Sequence, residues 1–151
     1  MRARQTVPRQ WLIISDRVDA QVVRQARTLA TATGILLLQA PSGPHVRRLR
    51  QVALQRRLVL SVESRRRAVR VHNLCELRRA LLARTPLVLL SPIYPTVSHP
   101  DWKPIGPMRA AAFARLSGRQ LIALGGMDAK RYAAVARLGF TGWAGISAFR
   151  T

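Results

Sequence analysis

Seven short runs of consecutive apolar residues punctuate the chain. They are Trp11-Leu12-Ile13-Ile14-Ser15, Ile35-Leu36-Leu37-Leu38, Leu58-Val59-Leu60-Ser61-Val62, Ala68-Val69-Arg70-Val71, Leu87-Val88-Leu89-Leu90, Leu121-Ile122-Ala123-Leu124 and Gly142-Trp143-Ala144-Gly145-Ile146. A strand that is apolar on both faces is buried on both faces, and strands of that kind alternating with helices indicate parallel βα units. The segments between them have helical spacing. Val22, Ala26, Leu29, Ala30 and Thr33 mark one helix face, which Gly34 is expected to stop. Pro41-Ser42-Gly43-Pro44 reads as a loop and helix start, with Val46, Leu49 and Ala53 lining the helix after it. Leu74, Leu77 and Leu81 form a third stripe, and a fourth helix starts near Pro107. Asp128 is placed to cap a helix bearing Tyr132, Val135 and Ala136. The pattern predicts an α/β domain.

One junction breaks the rhythm. Between Val62 and Ala68 only five residues remain, whereas a parallel crossover takes about a dozen or more. Either these two strands are antiparallel, or one is not a strand, or a βα unit is missing there. A complete (β/α)₈ barrel usually needs at least about 200 residues, and this chain has 151. Residues 1–10 read as a basic N-terminal extension and 11–151 as a single domain.

The charge is lopsided: 26 Lys+Arg stand against 6 Asp+Glu, a net +20. Such an excess can serve nucleic acid, but the densest run, Arg65-Arg66-Arg67, carries no interleaved aromatics, and arginines occur on nearly every expected helix. Solvated outer helix faces are the favoured reading. The longest apolar runs are far short of the roughly 20 residues of a membrane helix. Cys75 is the single cysteine, which excludes an internal disulfide and a cysteine-based zinc cluster; it is expected to pack on its helix. A cytoplasmic protein is expected.

The second half carries the strongest pattern: Val71-His72-Asn73-Leu74-Cys75-Glu76, then Leu90-Ser91-Pro92-Ile93-Tyr94-Pro95-Thr96-Val97-Ser98-His99, then Ile122-Ala123-Leu124-Gly125-Gly126-Met127, then Gly142-Trp143-Ala144-Gly145-Ile146. In this order and spacing they resemble the thiamine phosphate synthase/TenI family of (β/α)₈ barrels, well over about 68–149 and weakly over Trp11–Asp16. The resemblance implies a TIM-type barrel shortened by about one βα unit around residues 58–72. It also implies coupling of hydroxymethylpyrimidine diphosphate to thiazole phosphate with release of pyrophosphate.

On this resemblance, Gly125, Gly126, Gly145 and Ile146 are candidates for binding the thiazole phosphate through backbone N–H groups, since glycine lets backbone approach an anion. Thr96 and Ser98 would assist with hydroxyls. His72 and His99 are candidate catalytic groups at the barrel mouth, His99 standing where the family commonly has lysine. The family's Mg²⁺ is held by two aspartates and its diphosphate by a Gln-x-Arg-x-Lys stretch. Here Gln39 matches the glutamine, the Arg and Lys are replaced, and Glu63 is the candidate metal ligand, with Asp16 a distant second. A second carboxylate has no counterpart. The tautomerase branch's catalytic His is replaced by Pro92.

The leading expectation is a thiamine phosphate synthase-like transferase acting on small phosphorylated substrates, without a membrane. A non-catalytic thiazole-phosphate-binding regulatory barrel is the alternative. A nucleic-acid-binding protein ranks below both, because no recognised nucleic-acid motif is present. A missing unit would leave an open strand edge, which a homodimer could close.

Overall fold

The computed structural model describes residues 7–118, 121–146 and 148–149. All seven expected strands form: β1 (Gln10–Ile14), β2 (Gly34–Leu37), β3 (Val59–Val62), β4 (Ala68–Val71), β5 (Leu87–Leu90), β6 (Leu121–Leu124) and β7 (Phe140–Gly145). Between them lie α1 (Ala20–Thr28), α2 (His45–Gln55), α3 (Leu74–Leu82), α4 (Pro107–Ser117) and α5 (Ala129–Val135), the last running into a 3-10 turn at Ala136–Leu138. Every ladder is parallel, in the order β3-β2-β1-β7-β6-β5-β4. The β1–β7 pairing joins the two ends of the chain and curls the sheet into a nearly closed TIM-type barrel.

The doubly apolar strands follow from this layering. Trp11, Ile13, Leu36, Leu87, Leu89, Ile122, Leu124 and Ala144 fill the barrel interior. Their strand neighbours point outward: Leu12, Ile14, Ile35 and Leu37 meet α1 and α2 through Val23, Ala26, Val46 and Leu49. On the other side Val71, Val88, Leu90, Leu121 and Ala123 meet Leu77, Ala80, Ala110, Phe113 and Val135. Each large side chain so buried contributes about 1.5–3 kcal/mol.

Helix starts are set by side-chain caps. Val22 N–H donates to Asp19 Oδ1 at 2.8 Å, Glu76 N–H to Asn73 Oδ1 at 2.9 Å, and Arg131 N–H to Asp128 Oδ1 at 2.7 Å. Two local expectations are corrected. Gly34 is not a helix stop: α1 ends at Thr28, and Gly34 opens β2, where any Cβ would overlap the Trp11 ring. Cys75 does not pack into the core but is exposed on α3.

The short junction is resolved by stagger. Both segments are strands, and they are the two edges of the sheet. Ser64 N–H donates to Ala68 O at 2.9 Å and Ala68 N–H donates back to Ser64 O at 3.0 Å. This isolated bridge puts the first residue of β4 beside the chain just beyond β3. The strands lie end to end instead of side by side, so no crossover is required, and the shortening falls here.

The seam is dressed with carboxylates. Odd residues of β4 face β5, as in Ser91 N–H donating to Val71 O at 3.0 Å. Even residues face the gap. Arg70 N–H reaches Glu63 Oε1 at a long 3.4 Å, and His72 N–H donates to Glu76 Oε2 at 2.7 Å. Arg70 also clamps Glu63 bidentately, Nε to Oε1 at 2.8 Å and Nη2 to Oε2 at 3.1 Å. An incoming strand therefore finds the N–H groups of β4 already engaged, while β3 stays half-buried along its whole length.

The pair is only 26% and 21% exposed at its two side chains, so removing one partner strands the other. Glu63→Ala is expected to lower unfolding free energy by about 1–3 kcal/mol in urea titration. The Glu63→Ala/Arg70→Ala double variant should lose less than the sum of the singles.

Candidate functional site

Beyond β5 the chain turns through a cis Ser91–Pro92 bond and lies over the end of β6. Ile93 N–H donates to Leu124 O at 2.9 Å and Tyr94 N–H to Gly125 O at 3.1 Å. The loop is tied back on itself where Ile105 N–H donates to Pro92 O at 2.8 Å. This cover dictates the double glycine. Gly125 has φ +95°, and a Cβ there would sit 2.6 Å from Pro92 Cα. Gly126 has φ +60°, and its Cβ would overlap Pro95 O. Both conformations and both contacts exclude a side chain.

The loop leaves a cleft of about 230 Å³ at the C-terminal ends of the strands. Thr96, Ser98, Gly125, Gly126, Gly145 and Ile146 all line it. Six of the residues singled out in the sequence thus converge on one cavity. Ser98 N–H donates to Thr96 Oγ1 at 3.3 Å, so the Thr96 hydroxyl proton remains available to a ligand.

Arg131 is the residue that sequence reading missed. It lines the same cleft, donates from Nη1 to Gly126 O, and lies with Cζ 5.1 Å from the centroid of the Tyr94 ring. It bridges the β6–α5 turn and the β5–α4 loop. Its position in the first turn after a capped Gly-Gly turn is the available signal, hidden among so many other arginines.

The remaining candidates lie apart from this cleft. His72 Nδ1 is 2.9 Å from Ser91 O, so that nitrogen carries the proton and donates. Its ring meets Trp102 edge-on at 4.9 Å, and His99 stacks on Trp102 at 4.2 Å. Trp102, also missed, thus gathers both histidines into one group outside the cleft lining. Gln39 Nε2 donates to Ser15 O at 2.9 Å, which ties the ends of β1 and β2 together.

Glu63 does not fit a magnesium site. Both its oxygens are held by the Arg70 guanidinium, a cation where a metal would have to sit. Asp16 accepts from the Ser15 hydroxyl at 3.3 Å. Among the described residues no three His, Cys, Asp or Glu side chains gather as a metal would require.

Comparison with known proteins agrees with this geometry. The model of the thiamine monophosphate synthase family (TMP-TENI) matches residues 10–149. Among solved structures the chain is similar to thiamine phosphate pyrophosphorylase from Pyrococcus furiosus, with TM-score 0.70 and 17% identity, covering 95% of this chain and 87% of that one. The native KDPGal structure also matches, with TM-score 0.53 and 13% identity over 93% of this chain and 83% of that one. Those likenesses establish the barrel fold. A search of curated proteins finds no match. With nearly its whole length covered by the family model, the chain belongs to the thiamine monophosphate synthase family.

Proposed function

We propose that this protein is a thiamine phosphate synthase-like transferase of thiamine biosynthesis, and that the cleft beneath the 92–106 loop takes the thiazole phosphate. The observation carrying this reading is the convergence of Thr96, Ser98, Gly125, Gly126, Gly145 and Ile146 on one cavity with Arg131 at its edge. A phosphate monoester brings nearly two negative charges and three strong acceptor oxygens. Backbone N–H groups at the glycines can approach those oxygens closely, and the Thr96 and Ser98 hydroxyls of the same lining can donate to them. Arg131 supplies the cation: its guanidinium, now spent on the Gly126 carbonyl and the Tyr94 face, gains a charge-assisted bond by turning to the phosphate.

In the coupling reaction the thiazole nitrogen forms a bond to the methylene carbon of the pyrimidine. The bond from that carbon to the diphosphate oxygen breaks, and pyrophosphate leaves with the electron pair. The chain's part is to hold the thiazole nitrogen toward that carbon. The misfit of Glu63 with a metal favours one second reading, a barrel that binds thiazole phosphate without turning it over. We place either activity in the cytoplasm, where the lone thiol of Cys75 stays reduced.

Three outcomes are expected. Gly126→Asp abolishes calorimetric binding of thiazole phosphate, because a side chain there strikes Pro95 O and Arg131 and adds a negative charge beside the cleft; unchanged affinity would overturn the assignment. Arg131→Met weakens thiazole phosphate about tenfold while leaving the unphosphorylated alcohol unaffected. Finally, the gene should restore growth on thiamine-free medium to a bacterial strain lacking thiamine phosphate synthase. Soluble protein that binds thiazole phosphate yet fails to restore growth would select the non-catalytic reading.

A further inference from the structure

The barrel's side-chain carboxylates are gathered at one end. The chain's six carboxylates are Asp16, Asp19, Glu63, Glu76, Asp101 and Asp128. All six fall between the C-terminal end of a strand and the first turn of the next helix, on the end that carries the cleft. Most are also committed: Asp19, Glu76 and Asp128 accept from backbone N–H groups and Glu63 holds Arg70.

The other end, where strands begin, has no carboxylate among the described residues. It carries arginine instead. Arg9 precedes β1, Arg57 precedes β3, Arg84 precedes β5 and Arg137 precedes β7. All four are exposed. Among the described residues the one ion pair is Arg70 with Glu63, so none of these four guanidiniums is neutralised by a described carboxylate. The partial negative charge at helix C-terminal ends offsets only a fraction of a charge at each.

A second feature opens on the same end. A cleft of about 430 Å³ lies between the approach to β1 and the approach to β2, lined by Arg9, Gln10, Thr31 and Thr33. Arg57 flanks it, because Ala32 N–H donates to Arg57 O at 3.2 Å. This cavity is larger than the one at the opposite end, and its rim is cationic.

We propose that the strand-N-terminal end of this barrel binds the phosphodiester backbone of nucleic acid, a function separate from the cleft at the other end. Planar guanidiniums suit phosphate oxygens, which they can grip in pairs. A lipid surface is the weaker match, since peripheral membrane binding needs apolar side chains to insert. Leu54, Leu82 and Leu116 are exposed in the last turns of α2, α3 and α4, but each stands singly in its turn with arginines nearby in sequence.

The test is fluorescence anisotropy of the full-length protein with labelled RNA and DNA strands of about 16 nucleotides, and with the DNA duplex. Between about 50 and 200 mM salt, binding to a single strand should weaken with a log–log slope of about −2.8 if all four arginines engage, at about −0.7 each. A variant carrying Arg9→Gln, Arg57→Asn, Arg84→Asn and Arg137→Gln should bind at least about tenfold more weakly at the lower salt. Asparagine is used at 57 and 84 because their φ values of +54° and +53° tolerate it. The control removes equal charge from outer helix faces, with Arg47, Arg48, Arg50 and Arg78 all changed to Gln, and should retain most of the affinity. An unchanged far-UV circular dichroism spectrum certifies that either variant is folded. No binding at about 50 mM salt, equal losses in both variants, or capture by anionic vesicles in place of nucleic acid would each overturn the proposal. A preference among the RNA, DNA and duplex arms would identify the backbone it serves.

Discussion

The reciprocal bond between Ser64 and Ala68 is the joint on which the barrel turns. Parallel strands joined side by side need a helix to carry the chain back down. By starting β4 where β3 stops, this chain avoids the return journey, and seven strands approach closure where eight are usual. The open edge this creates would ordinarily invite aggregation. It is blunted from within, because carboxylates from the two flanking segments stand on the N–H groups that another strand would seek.

That solution has a chemical consequence. A carboxylate that seals an edge and grips a guanidinium is not free to hold a metal, so Glu63 cannot serve both ends. The opposite side of the mouth is untouched by the shortening. There the β5–α4 loop, β6 and β7 keep their mutual packing, and the cleft depends on contacts far from the seam: Pro92 and Pro95 against Gly125 and Gly126, and Arg131 against Tyr94. The shortening thus falls beside Glu63 and spares the cleft that Thr96, Ser98, Gly125, Gly126, Gly145 and Ile146 line.

Much of this was legible in the sequence, for identifiable reasons. Strands buried on both faces write themselves as unbroken apolar runs, so all seven appeared. The residues lining the cleft were picked out by the family resemblance of the strand-end segments taken in order, since glycines and hydroxyls alone are routine at turns. What the sequence hid were matters of which partner a residue meets. Gly34 looked like a helix stop, yet its reason is the Trp11 ring from the neighbouring strand. Glu63 looked like a ligand because nothing in the sequence announced that Arg70, seven residues on, would face it across the seam. Arg131 and Trp102 were missed from opposite causes. One was a single arginine among many, and the other was an aromatic in a loop whose two histidine contacts exist only once the loop folds.

The charge imbalance belongs to the same physical account. With only six side-chain carboxylates, the chain spends four of them on helix caps, on the exposed edge of β4 and on Arg70. Self-repulsion among the remaining cations opposes the compact state, and the packed interior must outweigh it. Any anion that binds the native form alone shifts that balance toward folding. A phosphate in the Arg131 cleft would do so at one end of the barrel, and a phosphodiester chain across Arg9, Arg57 and Arg84 at the other. Binding at either end would thus be linked to fold stability by the same deficit of negative charge.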